Sequence, residues 1–247
     1  WNMEEFEELI KKEKIHMVYI ISNFQNPTGI VWSDEKKKRL IQLAEEYDMT
    51  IMLSAPYVDL ARIAQETKNL IVNAQGMDPT DVGRGMGHVL PESLANVGVD
   101  GVFLNHEERP MTLRQLVKAV SRAKELGLNT IILVDSVEEA KMVAILEPTI
   151  IVCEQTKLIG TGKTSDAEYM HATREAIKQI NPNIIVIQGA GNRTADDQYN
   201  AIKNGSEGSG ASSGIFLAED PKTKIKELLE GVIRARDEFG TKVYNGD

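Results

Sequence analysis

The sequence predicts a parallel α/β protein of the (β/α)8 barrel class. Short runs of β-branched residues alternate eight times with helical patterns, as expected of a fold built from strand–helix units. The strand runs are apolar on both faces, which is typical of parallel strands buried under helices. A length of 247 residues suits one such barrel. We therefore expect a single barrel domain over residues 1–247, with residues 1–14 as an N-terminal helical appendage.

Turn and cap residues divide the chain into these units. Asn26-Pro27-Thr28-Gly29 ends the first strand, and Ser33 is a suitable N-cap for the helix that follows. The predicted strands are residues 16–24, 50–53, 70–75, 100–105, 130–134, 149–154, 184–188 and 206–214. The predicted helices are residues 33–47, 59–68, a short segment from residue 91, 112–126, 137–146, 165–180, 194–203 and 221–239. On the helix at 112–126, we expect Leu113, Leu116, Val117 and Val120 to face inward.

The eighth unit is the weakest, because residues 205–214 are mostly Gly and Ser and have poor strand propensity. This segment could also be a loop, so closure of the barrel there stays open. No G-x-G-x-x-G follows the first strand, which disfavours a dinucleotide-binding sheet. We expect a barrel with irregularities at strands 1 and 8.

Composition narrows the classes of function. A net charge of −9 argues against a general nucleic-acid or anionic-membrane surface. Cys153, the one cysteine, lies in an apolar strand, so we interpret it as a small buried hydrophobe in a reducing compartment. No apolar run approaches the roughly 20 residues that span a bilayer. We therefore expect a cytoplasmic protein. We also expect no metal, since the four His residues show no metal-ligand spacing, and no cofactor.

Polar and small residues follow several predicted strands, at the rim where such a barrel carries its active site. They are Asn23 and Gln25 at the end of strand 1, His106 just after strand 4, Glu154 at the end of strand 6, Gly191 after strand 7, and Ser213 and Gly214 at the end of strand 8. Taken alone, Glu154 could simply end a strand in solvent. Together the set suits proton transfer beside a carbonyl group, with Glu154 as base and His106 polarising the carbonyl oxygen. Gly-rich loops would offer main-chain donors to a phosphate.

From about residue 55 onward the chain resembles the triosephosphate isomerase family, in its compact archaeal type. The motifs are Gly87-His88-Val89-Leu90-Pro91-Glu92, Leu104-Asn105-His106, Glu154 with Leu158-Ile159-Gly160-Thr161-Gly162, Gly189-Ala190-Gly191, and Ser213-Gly214. The resemblance implies a TIM barrel that interconverts dihydroxyacetone phosphate and glyceraldehyde 3-phosphate. It also implies that His106 is the electrophile, Glu154 the base and residues 155–162 a lid that includes Gly160. Gly191, Ser213 and Gly214 would then belong to the phosphate cradle.

Several residues depart from the family's pattern. Gln25 stands where the family has a strand 1 Lys, and the loss of that charge costs on the order of a few kcal/mol in a dry site. Glu107 replaces a Ser and adds negative charge. Gln155-Thr156 replaces a Pro-Pro pair, which predicts a looser lid hinge. The alternative hypothesis is therefore a catalytically impaired or designed TIM-barrel protein with a binding or structural role.

Residues 18–58 show a second resemblance, to a segment of fold-type I pyridoxal-phosphate aminotransferases. It rests on Phe24-Gln25-Asn26-Pro27-Thr28-Gly29 and on Ala55-Pro56-Tyr57. The acid that meets the pyridine nitrogen and the Schiff-base lysine of that family are both missing, so a complete aminotransferase is disfavoured. The mixture suggests a chimeric or designed chain.

A homo-oligomer is also expected. The family's third loop packs into a neighbouring subunit, and residues 76–87 are of similar length, although Arg84-Gly85-Met86 replaces smaller polar residues.

Overall fold

The computed structural model falls into two compact units, Trp1–Thr130 and Ile131–Asp247. It describes residues 17–21, 50–66, 70–159, 161, 163–189, 191–210 and 218–239. The predicted appendage at 1–14 and the predicted helix at 33–47 lie outside the described residues. In the part of the chain that is described, no helix is both long and apolar enough to cross a membrane.

The first unit carries parallel strands in the order β1-β2-β3-β4. The strands are β1 (Met17–Ile21), β2 (Thr50–Ala55), β3 (Leu70–Ala74) and β4 (Gly101–Leu104). The helices are α1 (Tyr57–Glu66), α2 (Pro91–Asn96) and α3 (Leu113–Glu125). The register runs Met17↔Thr50 between β1 and β2 and Asn73↔Gly101 between β3 and β4. Buried side chains of the strands and helices, such as Leu60, Val72 and Leu104, form its core.

The second unit repeats this arrangement with parallel strands in the order β5-β6-β7-β8. The strands are β5 (Asn129–Val134), β6 (Ile150–Cys153), β7 (Ile185–Gln188) and β8 (Gly208–Ser209). The helices are α4 (Val137–Ala144), α5 (Ala167–Ile180), α6 (Ala195–Lys203) and α7 (Pro221–Phe239), with a 3-10 turn at Thr156–Leu158. Ile132, Ile151 and Val186 of the strands and Ile177 of α5 are fully buried and form the core of this unit.

Side-chain caps mark the start of several described helices. Thr112 and Gln115 form a capping box at α3, and Thr194 and Asp197 form another at α6. In each, the Thr hydroxyl accepts the N–H three residues on, and the later side chain accepts the Thr N–H. These caps explain why the predicted helix starts agree with the structure to within a residue or two.

Two expectations about packing are corrected. On α3, Leu116 and Val120 are buried as predicted, but Leu113 and Val117 are 59% and 44% exposed. The buried stripe also takes in Ala119 and Ala123, and so lies to one side of Leu113 and Val117.

The eighth strand is shorter than predicted. It spans only Gly208–Ser209, whereas residues 206–214 were expected. Ser206 is used instead as a side-chain partner, since its hydroxyl accepts the main-chain N–H of Gln188 at 2.9 Å. Residues 211–217 lie outside the described part, so the irregularity expected at strand 8 is seen only at its beginning.

A largely buried ion pair joins α5 to the start of β8. Lys178 and Glu207 have side chains only 17% and 10% exposed, with 2.7 Å between Nζ and Oε2. Lys178 also donates to the carbonyl oxygen of Ile184, and Glu207 accepts the N–H of Val186. Each charge therefore satisfies main-chain groups that would otherwise lose their partners at the N-terminal end of β7 and β8.

We predict that Glu207→Ala lowers the free energy of unfolding by about 3 kcal/mol, because it leaves the Lys178 ammonium buried without its carboxylate. Urea unfolding measures the change. The control is Glu175→Ala, which removes an exposed carboxylate 3.7 Å from Arg174 and should cost about 0.5 kcal/mol or less. Equal losses in the two variants would contradict this account of the buried pair.

Candidate active site

Glu154 is placed by the strand ladder of the second unit. Its N–H donates to the carbonyl oxygen of Val134 at 2.9 Å, which extends the pairing of β5 and β6 one residue past Cys153. Its side chain is half-buried and lies over Gly189, at the end of β7. A Cβ added at Gly189 would stand 3.1 Å from the Glu154 Cβ and 3.2 Å from its Oε1. The absence of a side chain at Gly189 therefore makes room for this carboxylate.

Cys153 precedes Glu154 and is completely buried. Burial raises the pKa of its thiol to about 12, so the thiol stays protonated at neutral pH. The interpretation of Cys153 as a buried hydrophobe is confirmed.

His106 follows β4 in the first unit and is half-buried. Its Nδ1 lies 3.1 Å from the main-chain nitrogen of Glu108 and accepts that N–H. This contact occupies Nδ1 and leaves Nε2 as the ring nitrogen that can donate a hydrogen bond.

The loop that carries His106 is tied down by side chains. Asn105 adopts a left-handed conformation, with φ of 59°, and its Oδ1 accepts the N–H of Met111 at 2.9 Å. Arg109 donates to the Tyr57 hydroxyl at 2.5 Å and to Asp78 Oδ1 at 2.6 Å. The loops after β2, β3 and β4 are therefore joined through one guanidinium.

Tyr57, Asp78 and Arg109 were missed from the sequence. Burial raises the pKa of Tyr57, although Arg109 opposes the rise, so the phenol stays neutral beside the guanidinium. No local spacing points to this cluster, since Tyr57 and Arg109 are 52 residues apart.

Two carboxylates stand next to His106 in the chain. Glu107 and Glu108 are both exposed, and Glu108 Oε2 lies 3.8 Å from His106 Nδ1. The negative charge that Glu107 was expected to add therefore faces solvent, where it is screened in part.

The segment after Glu154 begins with an anchored turn. Asp135 Oδ1 accepts both the N–H of Thr156, at 2.6 Å, and its hydroxyl, at 2.9 Å. Thr156 is therefore held by two hydrogen bonds, and the looser hinge expected from Gln155-Thr156 stays a prediction. Gly160, expected to bind substrate from this segment, lies outside the described residues.

Gly191 joins the end of this segment to the loop after β7. Its φ is +69°, and an added Cβ would overlap the carbonyl oxygen of Lys163. Asn192 donates from Nδ2 to the carbonyl oxygen of Gly210 at 3.0 Å, which ties this loop to the chain after β8. Of the other predicted substrate contacts, Asn23, Gln25, Ser213 and Gly214 lie outside the described residues.

We predict that Gly191→Ala destabilises the protein more than Gly127→Ala does. Both glycines have a φ near +70°, so both variants pay the strain of a left-handed Ala, about 1 kcal/mol. An added Cβ meets nothing within 4 Å at Gly127 but collides with Lys163 at Gly191. Gly191→Ala should therefore lower the free energy of unfolding by about 2 kcal/mol more than Gly127→Ala does, as measured by urea unfolding. Matching losses would show that the two loops are not in contact.

Comparisons with known proteins place the chain in a family. The family model described as triosephosphate isomerase matches residues 19–229. A triosephosphate isomerase from Methanobacterium bryantii is 38% identical over 193 residues, which cover 77% of this chain and 85% of the relative. Those from Sulfolobus acidocaldarius and Methanothermus fervidus are 31% and 34% identical, over 84% and 78% of this chain and 91% and 87% of their own lengths.

The family match also bears on the first quarter of the chain. It begins at residue 19, and so includes most of the segment 18–58 whose second resemblance suggested a chimera. The comparisons give no support to an aminotransferase origin for that segment.

The parallel strand–helix units and these comparisons agree with each other. The predicted fold class, an α/β protein of the TIM-barrel type, is confirmed. The chain belongs to the triosephosphate isomerase family.

Proposed function

We propose that the protein interconverts dihydroxyacetone phosphate and glyceraldehyde 3-phosphate through an enediolate, with no metal or cofactor. The observation that carries the proposal is the state of two side chains in a member of this family. His106 accepts at Nδ1 and so presents Nε2 as its donor, and Glu154, which follows β6, lies over Gly189, which follows β7. A histidine donor and a glutamate base form the arrangement already established for this family.

Each group has a defined part in the reaction. The Glu154 carboxylate removes a proton from the carbon beside the carbonyl group, and the C–H electrons form the double bond of the enediolate. The carbonyl oxygen gains negative charge, and the Nε2–H of His106 donates to it. Glu154 then returns the proton to the neighbouring carbon.

The phosphate group would be bound by main-chain N–H groups. Gly191 supports this role, because it has a left-handed conformation and its Cα lies so close to the carbonyl oxygen of Lys163 that a side chain would not fit. By their place in the family's motifs, we assign Ser213 and Gly214 to the same cradle. We assign Gly160 to a substrate contact from the lid, and Asn23 and Gln25 to the substrate contact at strand 1. Backbone donors suit a phosphate because they need no flexible side chain to be ordered on binding.

The second candidate is a family member with little activity that serves as a binding or structural protein. Two observations favour it: Gln25 brings no charge to the substrate, and Glu107 and Glu108 add negative charge beside His106. A chimeric or designed origin and a cytoplasmic location stay predictions, as does the single domain over residues 1–247.

We also propose a homo-oligomer. The loop between β3 and α2 exposes Val82 and Met86, two large apolar side chains that a second copy of the chain could cover. Light scattering tests this directly, and a monomer at all concentrations would reject it.

We predict that Gln25→Lys raises kcat/KM for the triose phosphates by roughly tenfold or more, because it supplies a positive charge to an anionic transition state. A coupled isomerisation assay measures the change. The control is Gln65→Lys, which makes the same charge change at an exposed position of α1 and should leave kcat/KM unaltered.

The same assay separates the two candidate functions. Activity in the wild-type chain that Gln25→Lys increases supports an isomerase with one missing charge. No turnover in either protein would reject the isomerase and leave the binding or structural role.

A further inference from the structure

Asp135, the residue after β5, is fixed from several sides within the second unit. Its main-chain N–H donates to Glu139 Oε2 at 2.7 Å, and its carbonyl oxygen accepts the hydroxyl of Tyr169 at 2.9 Å. Its carboxylate is half-buried and accepts two hydrogen bonds from Thr156 through a single oxygen, Oδ1. A carboxylate held in this way is a rigid anchor, because its own backbone cannot move without breaking bonds to α4 and α5.

Thr156, the residue that Asp135 binds, is only two positions after Glu154. The N–H of Glu154 is bound to Val134, the residue before Asp135, and Thr156 is bound to Asp135 itself. Val134 and Asp135, consecutive residues at the end of β5, therefore hold the main chain at Glu154 and at Thr156. Since a displacement of about 1 Å at a reacting group can cost two powers of ten in rate, these restraints matter for a catalytic base.

Thr156 supplies donors that a proline could not. Proline has no N–H and no hydroxyl, so the Pro-Pro pair expected at this hinge would restrict the chain only through its rings. In this chain Thr156 begins a 3-10 turn, and Gln155 before it is extended, with φ of −68° and ψ of 109°. In this chain, therefore, hydrogen bonds to Asp135 restrain Thr156, where proline rings would restrain a Pro-Pro pair.

Tyr169 supports the same anchor from α5. Burial raises the pKa of Tyr169, and the neighbouring carboxylates of Asp135, Glu139 and Glu154 act in the same direction. The phenol therefore keeps its proton at neutral pH and donates to the Asp135 carbonyl oxygen.

We propose that Asp135 is a positioning residue for the isomerisation: through Thr156 it fixes the N-terminal hinge of the lid and so orients Glu154. The proposal rests on the proposed function for its kinetic consequence, but the hydrogen bonds themselves do not. Asp135 touches no substrate in this scheme and acts through the backbone of residues 154–156.

The kinetic test combines two substitutions. Asp135→Ala should lower kcat roughly tenfold while KM changes little, since the hinge loses both hydrogen bonds. Asp135→Asn keeps an acceptor oxygen and should restore most of the loss. Thr156→Pro fits the local backbone, because Pro is favoured at the first position of a helical turn after an extended residue. In the Thr156→Pro background, Asp135→Ala should change kcat less than about twofold.

A purely structural role predicts a different pattern. If Asp135 only stabilised the fold, Asp135→Ala would leave kcat of the folded protein unchanged or alter it by the same factor in both backgrounds, and either result would overturn the proposal. The control is Asp100→Ala, which removes a carboxylate that accepts the N–H of Val72 at 2.6 Å in the first unit. Its loss should lower stability without changing kcat of the folded protein.

A second measurement does not depend on turnover. Hydrogen exchange of the Thr156 amide should be at least tenfold faster in Asp135→Ala than in the wild-type chain, with exchange in the middle of α5 unchanged. Unchanged exchange at Thr156 would overturn the anchor even in an active enzyme. Faster exchange in a chain without isomerase activity would support the anchor and reject the proposed function, so the two failures are distinguishable.

Discussion

The parallel ladder formed by β5, β6 and β7 is the constraint on which the site of the second unit depends. Glu154 continues this ladder through its N–H to Val134, and Gly189 continues it through its N–H to Cys153 at 2.8 Å. Because parallel register fixes which residues are neighbours at the strand ends, Glu154 must lie beside Gly189. A side chain at Gly189 would crowd this carboxylate, since an added Cβ would lie 3.1 Å from the Glu154 Cβ.

The chain holds its functional loops with hydrogen bonds to main-chain groups and with one guanidinium. In the first unit, Arg109 joins Tyr57 and Asp78 and so steadies the loop of His106. In the second, Asp135 steadies the segment after Glu154. Both devices order a loop by attaching it to a neighbouring strand end, where buried apolar packing makes the support rigid. Departures from the family's motifs thus do not leave the site without support, although they change its charge.

Much of the fold follows from local sequence, and the rest does not for definite reasons. Thr112 and Thr194 indicate helix starts because a cap acts on the N–H three residues away. Leu113 and Val117 were misplaced because the buried stripe includes the small residues Ala119 and Ala123, and so faces to one side of the stripe that the large apolar residues indicate. The end of β8 was misjudged because Gly and Ser carry little strand signal. His106 and Glu154 were predicted from their strand-end positions, and their catalytic roles stay predictions. The Asp135–Thr156 contact joins residues 21 apart that no motif connects.

The central claim is that Glu154 moves a proton between adjacent carbons of a triose phosphate. The most direct test incubates dihydroxyacetone phosphate with the protein in D2O and follows the carbon-bound hydrogens by proton NMR. The account predicts that deuterium enters the carbon beside the carbonyl group at a rate proportional to enzyme, and that Glu154→Gln abolishes this exchange. Exchange that persists in Glu154→Gln, or that is absent from the wild-type chain, would contradict it.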